Sequence, residues 1–176
     1  MADTNPTCIV CQSKKVTTAT CGLCQGALCK THKVSLGATA FLLLEKIPAP
    51  LAHAHYCASC YDTQVAPALA TYDEMAEKAN DIYFITKNYT GYVHVQRRHT
   101  KRVLVKDCAD RRETILRMAF QAAELGMNAL IESEVESFNT RKDGKPGGYQ
   151  SARWKGSAMP AQINGEQLER ASLRRI

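Results

Sequence analysis

From residue 82 onward, apolar and polar residues alternate in the manner of β-strands, and one helical period interrupts them. Residues 82–86, 91–96 and 102–106 predict three short strands, the second alternating strictly as Tyr92, His94 and Gln96 against Val93 and Val95. Asp110 opens a helix. With Glu113 it forms a capping box, Ile115, Met118, Ala119, Ala122 and Leu125 fall on one face, and Gly126 supplies a left-handed stop. Residues 128–138 predict a long strand. Leu130, Glu132, Glu134 and Glu136 share its polar face, and Ile131, Ser133, Val135 and Ser137 share a mixed one. Residues 143–148 predict a turn, and 149–155 and 159–163 a hairpin-like pair. Upstream, Tyr72, Met75, Ala76 and Ala79 recur at helical spacing and predict a helix over 61–81. Strands, one helix, then strands is an α+β order: a small antiparallel or mixed sheet with one covering helix.

The first 60 residues follow neither period. Seven of the eight cysteines lie there, leaving Cys108 outside. They read C-x2-C, nine residues, C-x2-C, four residues, C-x2-H, twenty-four residues, C-x2-C. Zinc takes four soft or borderline ligands in a tetrahedron, and each C-x2-C turn presents two of them. Cys8, Cys11, Cys21, Cys24, Cys29, His32, Cys57 and Cys60 therefore supply two closed sites for two structural Zn2+ ions, with no position left for a reacting water. The loop between Cys24 and Cys29 is too short for its flanking pairs to close comfortably on one ion. An interleaved arrangement relieves this, with Cys8, Cys11, Cys29 and His32 on one ion and Cys21, Cys24, Cys57 and Cys60 on the other. His53 or His55 is an alternative ligand to Cys60, because His55-Tyr56-Cys57 also offers an H-x-C pair. The insert between His32 and Cys57 carries apolar runs at 38–44 and 47–51, which are expected to pack over the zinc core, with a partner-docking surface as the alternative.

This ligand pattern resembles the cross-brace topology of FYVE and RING fingers, and residues 21–32 resemble the core of stress-associated (AN-one-type) fingers and B-boxes. The resemblance implies a treble-clef-like fold over about 55 residues. The basic box and upstream tryptophan of phosphoinositide-binding FYVE domains are missing. Of the features usual in RING ubiquitin ligases, Val10 is present, but the last pair reads Cys57-Ala-Ser-Cys60 without proline and the one tryptophan is Trp154.

A second resemblance covers roughly residues 82–164. Ile85-Thr86, Gly91-Tyr92, the helix ending Ala122-Ala-Glu-Leu-Gly-Met-Asn-Ala129 and Gly156-Ser-Ala-Met-Pro160 are similar to the YbjQ-like (putative heavy-metal-binding) family. That likeness implies a ring-forming homo-oligomer. The family's metal-binding name has no support in this half, where Cys108, His94 and His99 sit at no ligand spacing; Cys108 reads as a packed thiol. The expected organisation is thus a finger at 1–62, a helical linker at 63–81, an α+β domain at 82–165 and a basic tail at 166–176.

The net charge of +6 is spread thinly: residues 1–70 hold five Lys/Arg and three Asp/Glu, the remainder eighteen and fourteen. The densest basic cluster, Arg97, Arg98, Lys101 and Arg102, reads as a solvated hairpin tip or, if it binds, as a phosphate contact to nucleic acid or anionic membrane. No basic-then-apolar leader opens the sequence, and its longest apolar stretch, residues 40–44, is far shorter than the roughly 20 residues that span a bilayer. A cytoplasmic protein with reduced thiols is expected, in which cysteine pairs hold metal. No catalytic motif stands out, and Glu132, Glu134 and Glu136 beside basic residues read as a salt-bridged surface. The composite expectation is a non-enzymatic adaptor whose finger recruits a protein partner and whose second domain oligomerises. A RING-like ubiquitin ligase and a phosphate-dependent binder are the alternatives.

Overall fold

A computed structural model describes residues 7–13, 17–37, 41–141 and 150–164. Residues 38–40 of the insert, the turn at 143–148 and the basic tail at 166–176 lie outside the described residues. The fold is α+β, with small sheets and one main covering helix. It divides into two compact units, Met1–Asp73 and Glu74–Ile176.

The first unit is built from two minimal hairpins and a helix. β1 (Thr17–Thr20) pairs antiparallel with β2 (Ala27–Cys29), and β3 (Val34–Ser35) with β4 (His55–Tyr56). A single 3-10 turn, Ala49–Leu51, lies within the insert. Cys57 then caps α1 (Ala58–Cys60), which runs through a π-helical turn, Tyr61–Val65, into α2 (Ala66–Asn80), whose residues after Asp73 belong to the second unit. The helix expected at 61–81 thus begins earlier, at the last cysteine pair. Its buried cluster comprises Cys21, Leu28, Phe41, Leu51, Tyr56, Cys57 and Val65, with Leu44, Leu69 and Tyr72 against it. Phe41 meets Tyr72 edge to face at 5.3 Å. The insert therefore packs only in part: Phe41 and Leu51 are buried, while Leu42 and Ile47 are exposed.

The second unit is a mixed sheet with α3 (Arg111–Glu124) on one face. β5 (Tyr83–Thr86) runs parallel to β8 (Ala129–Arg141), which pairs antiparallel with β9 (Gln150–Ile163). β6 (Val95–Arg98) and β7 (Val103–Cys108) both pair with the other edge of β9, end to end. Two expectations change here. The pieces expected at 149–155 and 159–163 belong, over the described residues, to one continuous strand, because Gly156 and its neighbours stay in register with β8 rather than turning. The strand expected at 91–96 starts only at Val95 and extends through Arg98.

Asp110 caps α3 as expected, accepting the Glu113 N–H at 2.8 Å; Glu113 reaches back to Ala109, one residue before the cap. Gly126 closes the helix with φ +66°. Ile115, Met118, Ala119 and Ala122 are buried. Gly156 lets the helix approach the sheet: a Cβ there would sit 2.7 Å from Thr114 Cγ2 and 2.8 Å from Met118 Cε. Since Gly156 faces α3, its partner Val135 does too, and so does Leu130 opposite Pro160. Ile131 and Glu134, three residues apart, share the opposite face because the strand bulges between them, with Glu132 at φ 51°. That bulge breaks the expected Leu130–Glu132–Glu134–Glu136 alternation and makes room for a second apolar cluster of Tyr83, Ile85, Ala129, Ile131, Ala161 and Ile163, covered by Tyr89, Val93 and Val95.

Asn128 joins the sheet by its side chain. Its Nδ2 donates to Ile163 O at 2.9 Å and its Oδ1 accepts the Ile163 N–H at 2.8 Å, so the amide continues the ladder where backbone pairing ends. Asn128→Ala should destabilise this unit by roughly 1–3 kcal/mol, since it strands a donor and an acceptor at the end of β9. Urea denaturation followed through Trp154 fluorescence measures the loss.

Candidate metal centres

Two local backbone units repeat in the finger. In the first, Cys8 O accepts the Gln12 N–H at 2.8 Å and Cys8 N–H reaches Ser13 O at 3.3 Å. In the second, Cys21 O accepts the Gln25 N–H at 2.9 Å and Cys21 N–H reaches Gly26 O at 2.9 Å. Each is a Cys-x2-Cys knuckle closed by a glutamine in the left-handed region, Gln12 at φ 54° and Gln25 at φ 59°. The tight curl turns both sulfurs of a knuckle to one side. The other two pairs come from different elements: Cys29 ends β2 with His32 just beyond it, and Cys57 and Cys60 occupy the cap and first turn of α1.

These pairs assemble in interleaved fashion. The ligand atoms of Cys8, Cys11, Cys29 and His32 lie within 4.8 Å of one another, as do those of Cys21, Cys24, Cys57 and Cys60. A tetrahedral zinc with Zn–S bonds of about 2.3 Å requires sulfur–sulfur edges of about 3.8 Å. Cys24 Sγ and Cys57 Sγ are 4.0 Å apart, and His32 Nδ1 lies 3.8 Å from Cys8 Sγ and 3.3 Å from Cys29 Sγ. All eight cysteines are free thiols. Both donor sets therefore suit a metal ion, in chemistry and in size. The histidines considered as alternatives to Cys60 lie outside the sets. His55 Nδ1 pairs with Ser35 Oγ at 3.0 Å, and the His53 ring packs edge-on against Tyr56.

The electrostatics point the same way. Backbone N–H groups of Cys11 and Cys29 directed at Cys8 hold its thiol well below the ordinary range, at about 5. Burial works to raise Cys21, but the N–H groups of Cys24, Cys57 and Leu23 outweigh it and bring the thiol to about 6. Cys60 is pushed up to about 12 by its hydrogen bond with the Cys57 thiol, by burial and by the neighbouring Cys24 and Cys21 sulfurs. The Cys8 and Cys11 sulfurs raise His32. In the second set the Cys21 thiolate forms easily, whereas Cys60 is opposed by the sulfurs around it. A dication at the centre removes that opposition.

The basic cluster has a different geometry from the expected hairpin tip. β6 and β7 form one edge strand along β9, and residues 99–102 interrupt it. Arg98 Nη1 lies 2.9 Å from Glu132 Oε1, and Arg102 binds Glu132 Oε2 at 3.2 Å and the Glu132 carbonyl at 2.7 Å. All four basic residues are exposed, and two of them, Arg98 and Arg102, brace the β8 bulge. Lys87 lies 2.7 Å from Glu134 and Lys155 3.1 Å from Glu136. Lys87 holds the Glu134 carboxyl below its usual range, so the small stability this pair contributes is present at neutral pH and lost as the pH falls below the carboxylate range. Cys108 is buried, which raises its thiol pKa, and its sulfur neighbours Thr114. The left-handed glutamines and the Glu132 bulge are not legible in the sequence by its periods or motifs. A polar residue directly after each Cys-x2-Cys is the only signal for the former.

No protein-family model, curated protein or solved structure matches the chain. Among the described residues no helix is long and apolar enough to cross a membrane.

Gln25 tests the knuckle geometry. Left-handed backbone costs an L-residue roughly 1–2 kcal/mol, and a β-branched side chain suffers most. Gln25→Val should lower the chelator concentration at which the finger unfolds, whereas Gln25→Gly should leave it unchanged or raise it. Circular dichroism during chelator titration measures both.

Proposed function

We propose that this chain is a zinc-binding adaptor. Two structural Zn2+ ions hold an interleaved, treble-clef-like finger that recruits a protein partner, and the α+β unit has no catalytic role but self-associates. The observation carrying this reading is the interleaving itself. Two complete four-ligand sets drawn from alternating pairs close both ions against solvent water, so the metal serves shape rather than reaction. The shape presents apolar side chains that a small soluble finger would otherwise bury: Ile9 and Val10 between the first two ligands are 47% and 48% exposed, and Leu42 is 52% exposed. Self-association is supported by the edge of β8 beyond Ser133, which runs on to Arg141 with no strand paired to it there among the described residues. It is also what the YbjQ-like resemblance implies.

Purified full-length protein should contain two zinc ions per chain by elemental analysis. Excess chelator should abolish structure in the finger while the far-UV signal of the sheet and α3 persists, because a finger with so small a core depends on its metal. One ion or none would overturn the reading. Val10→Ser and Leu42→Ser should both keep two ions yet lose whatever protein the wild type captures from cytosol. Retained capture would remove the apolar surface from the argument.

The exposed Val10 also favours a second reading, a RING-like ubiquitin ligase. Ubiquitin-chain formation with activating and conjugating enzymes, lost on Val10→Ser, would establish it in place of the adaptor.

A further inference from the structure

On the reading that both donor sets hold zinc, we propose that the two ions are held unequally. The first set, Cys8, Cys11, Cys29 and His32, carries an exchangeable zinc, and the second set, Cys21, Cys24, Cys57 and Cys60, a zinc integral to the fold. The finger is then metal-responsive, with its first knuckle released when free zinc falls or a competing ligand rises.

Exposure of the ligands does not distinguish the sites. In each, two cysteines are buried, the second cysteine of the knuckle is exposed, and the fourth ligand is partly covered. The difference lies behind them. Cys21 and Cys57 belong to the buried cluster with Leu28, Phe41, Leu51, Tyr56 and Val65, and Cys60 packs on its margin; no ligand of the first set is part of it.

The attachments differ as well. The second knuckle is tied to β4 by Gly22 N–H to His55 O at 2.9 Å, and its partner pair caps a helix, with Cys60 N–H on Cys57 Sγ at 3.4 Å. The first knuckle is joined to β2 by Ile9 N–H to Ala27 O at 3.0 Å, its own closing bond is the longer of the two at 3.3 Å against 2.9 Å, and Ile9 and Val10 face solvent.

Because no preformed site exists in an unfolded chain, the affinity of a structural ion includes the folding it enforces. Removing the second ion releases the anchor on Cys57, the cap residue of α1, and opens the apolar cluster to water. Removing the first leaves the cluster closed and costs mainly the order of one short loop. The second ion therefore resists release more strongly.

Cys11 and Cys24 occupy equivalent positions in the two knuckles and make a matched test. Zinc-loaded full-length protein is mixed with an excess of a chromogenic chelator, and zinc release is followed beside far-UV circular dichroism. The expected result is two phases of one ion each, with helical signal lost only in the slow one. Cys11→Ser should keep one ion and lose the fast phase; Cys24→Ser should lose the finger's helical signal and retain no slowly released ion. Release of both ions in a single phase would overturn the proposal, as would loss of both ions from Cys11→Ser or a slowly released ion surviving in Cys24→Ser. A chain that binds no zinc at all overturns the zinc reading itself, whereas two ions leaving together sinks only the inequality.

Discussion

Sulfur crowding governs the first unit. Three sulfurs and an imidazole in one set, and four sulfurs in the other, lie within 4.8 Å of one another, and sulfurs so close repel as thiolates unless positive charge stands between them. Much of the local structure can be understood as making that crowding tolerable. Backbone N–H groups turn toward Cys8 and Cys21, two glutamines accept a strained backbone to curl the knuckles, and Cys57 is both a candidate ligand and a helix cap. The hairpins β1–β2 and β3–β4 are only two to four residues long and would not persist in isolation. They rest on a small apolar cluster that includes two of the candidate ligands, Cys21 and Cys57.

Among its described residues, the second unit gathers no comparable group of cysteines and histidines. β9 is its organising strand, pairing with β8 along one edge and with β6 and β7 along the other, and α3 packs where Gly156 removes a side chain from its path. The face away from α3 is divided by the bulge at Glu132. On one side lies an apolar cluster under Tyr89, Val93 and Val95; on the other lies a lattice of alternating charge in which Glu132 is shared by Arg98 and Arg102. A glutamate in the left-handed region is unfavourable by itself, and its two guanidinium partners oppose that cost.

Sequence patterns carried the parts governed by local rules. The ligand spacing exposed the interleaved pairs, because a short loop between Cys24 and Cys29 constrains which pairs can share an ion. The α3 cap and stop were legible since Asp110, Glu113 and Gly126 act through bonds within a few residues. What escaped was set by distant partners. Nothing near residues 97–102 indicates that Glu132, some thirty residues later, turns a supposed hairpin tip into a braced strand interruption. Sequence pattern alone divides β9 in two because Gly156-Ser-Ala158 looks like a break, whereas the glycine is there to admit a helix. The two-residue strands β3 and β4 are too short for any period to show.

The π turn at Tyr61–Val65 sets a constraint of angular phase. Each residue of an α-helix advances about 100° around its axis. A wide turn accommodates one residue more than the regular spiral would, so it acts as an angular offset between the helical segments on its two sides. Before it stand Cys57 and Cys60, whose sulfurs must meet those of Cys21 and Cys24; at its end and beyond it stand Val65, Leu69 and Tyr72, whose direction is dictated by oil-like neighbours. Two unrelated demands on one rod are thus reconciled by a single surplus residue. A sequence one residue shorter here, wound as regular helix, would have to choose between aiming its sulfurs and aiming its apolar stripe.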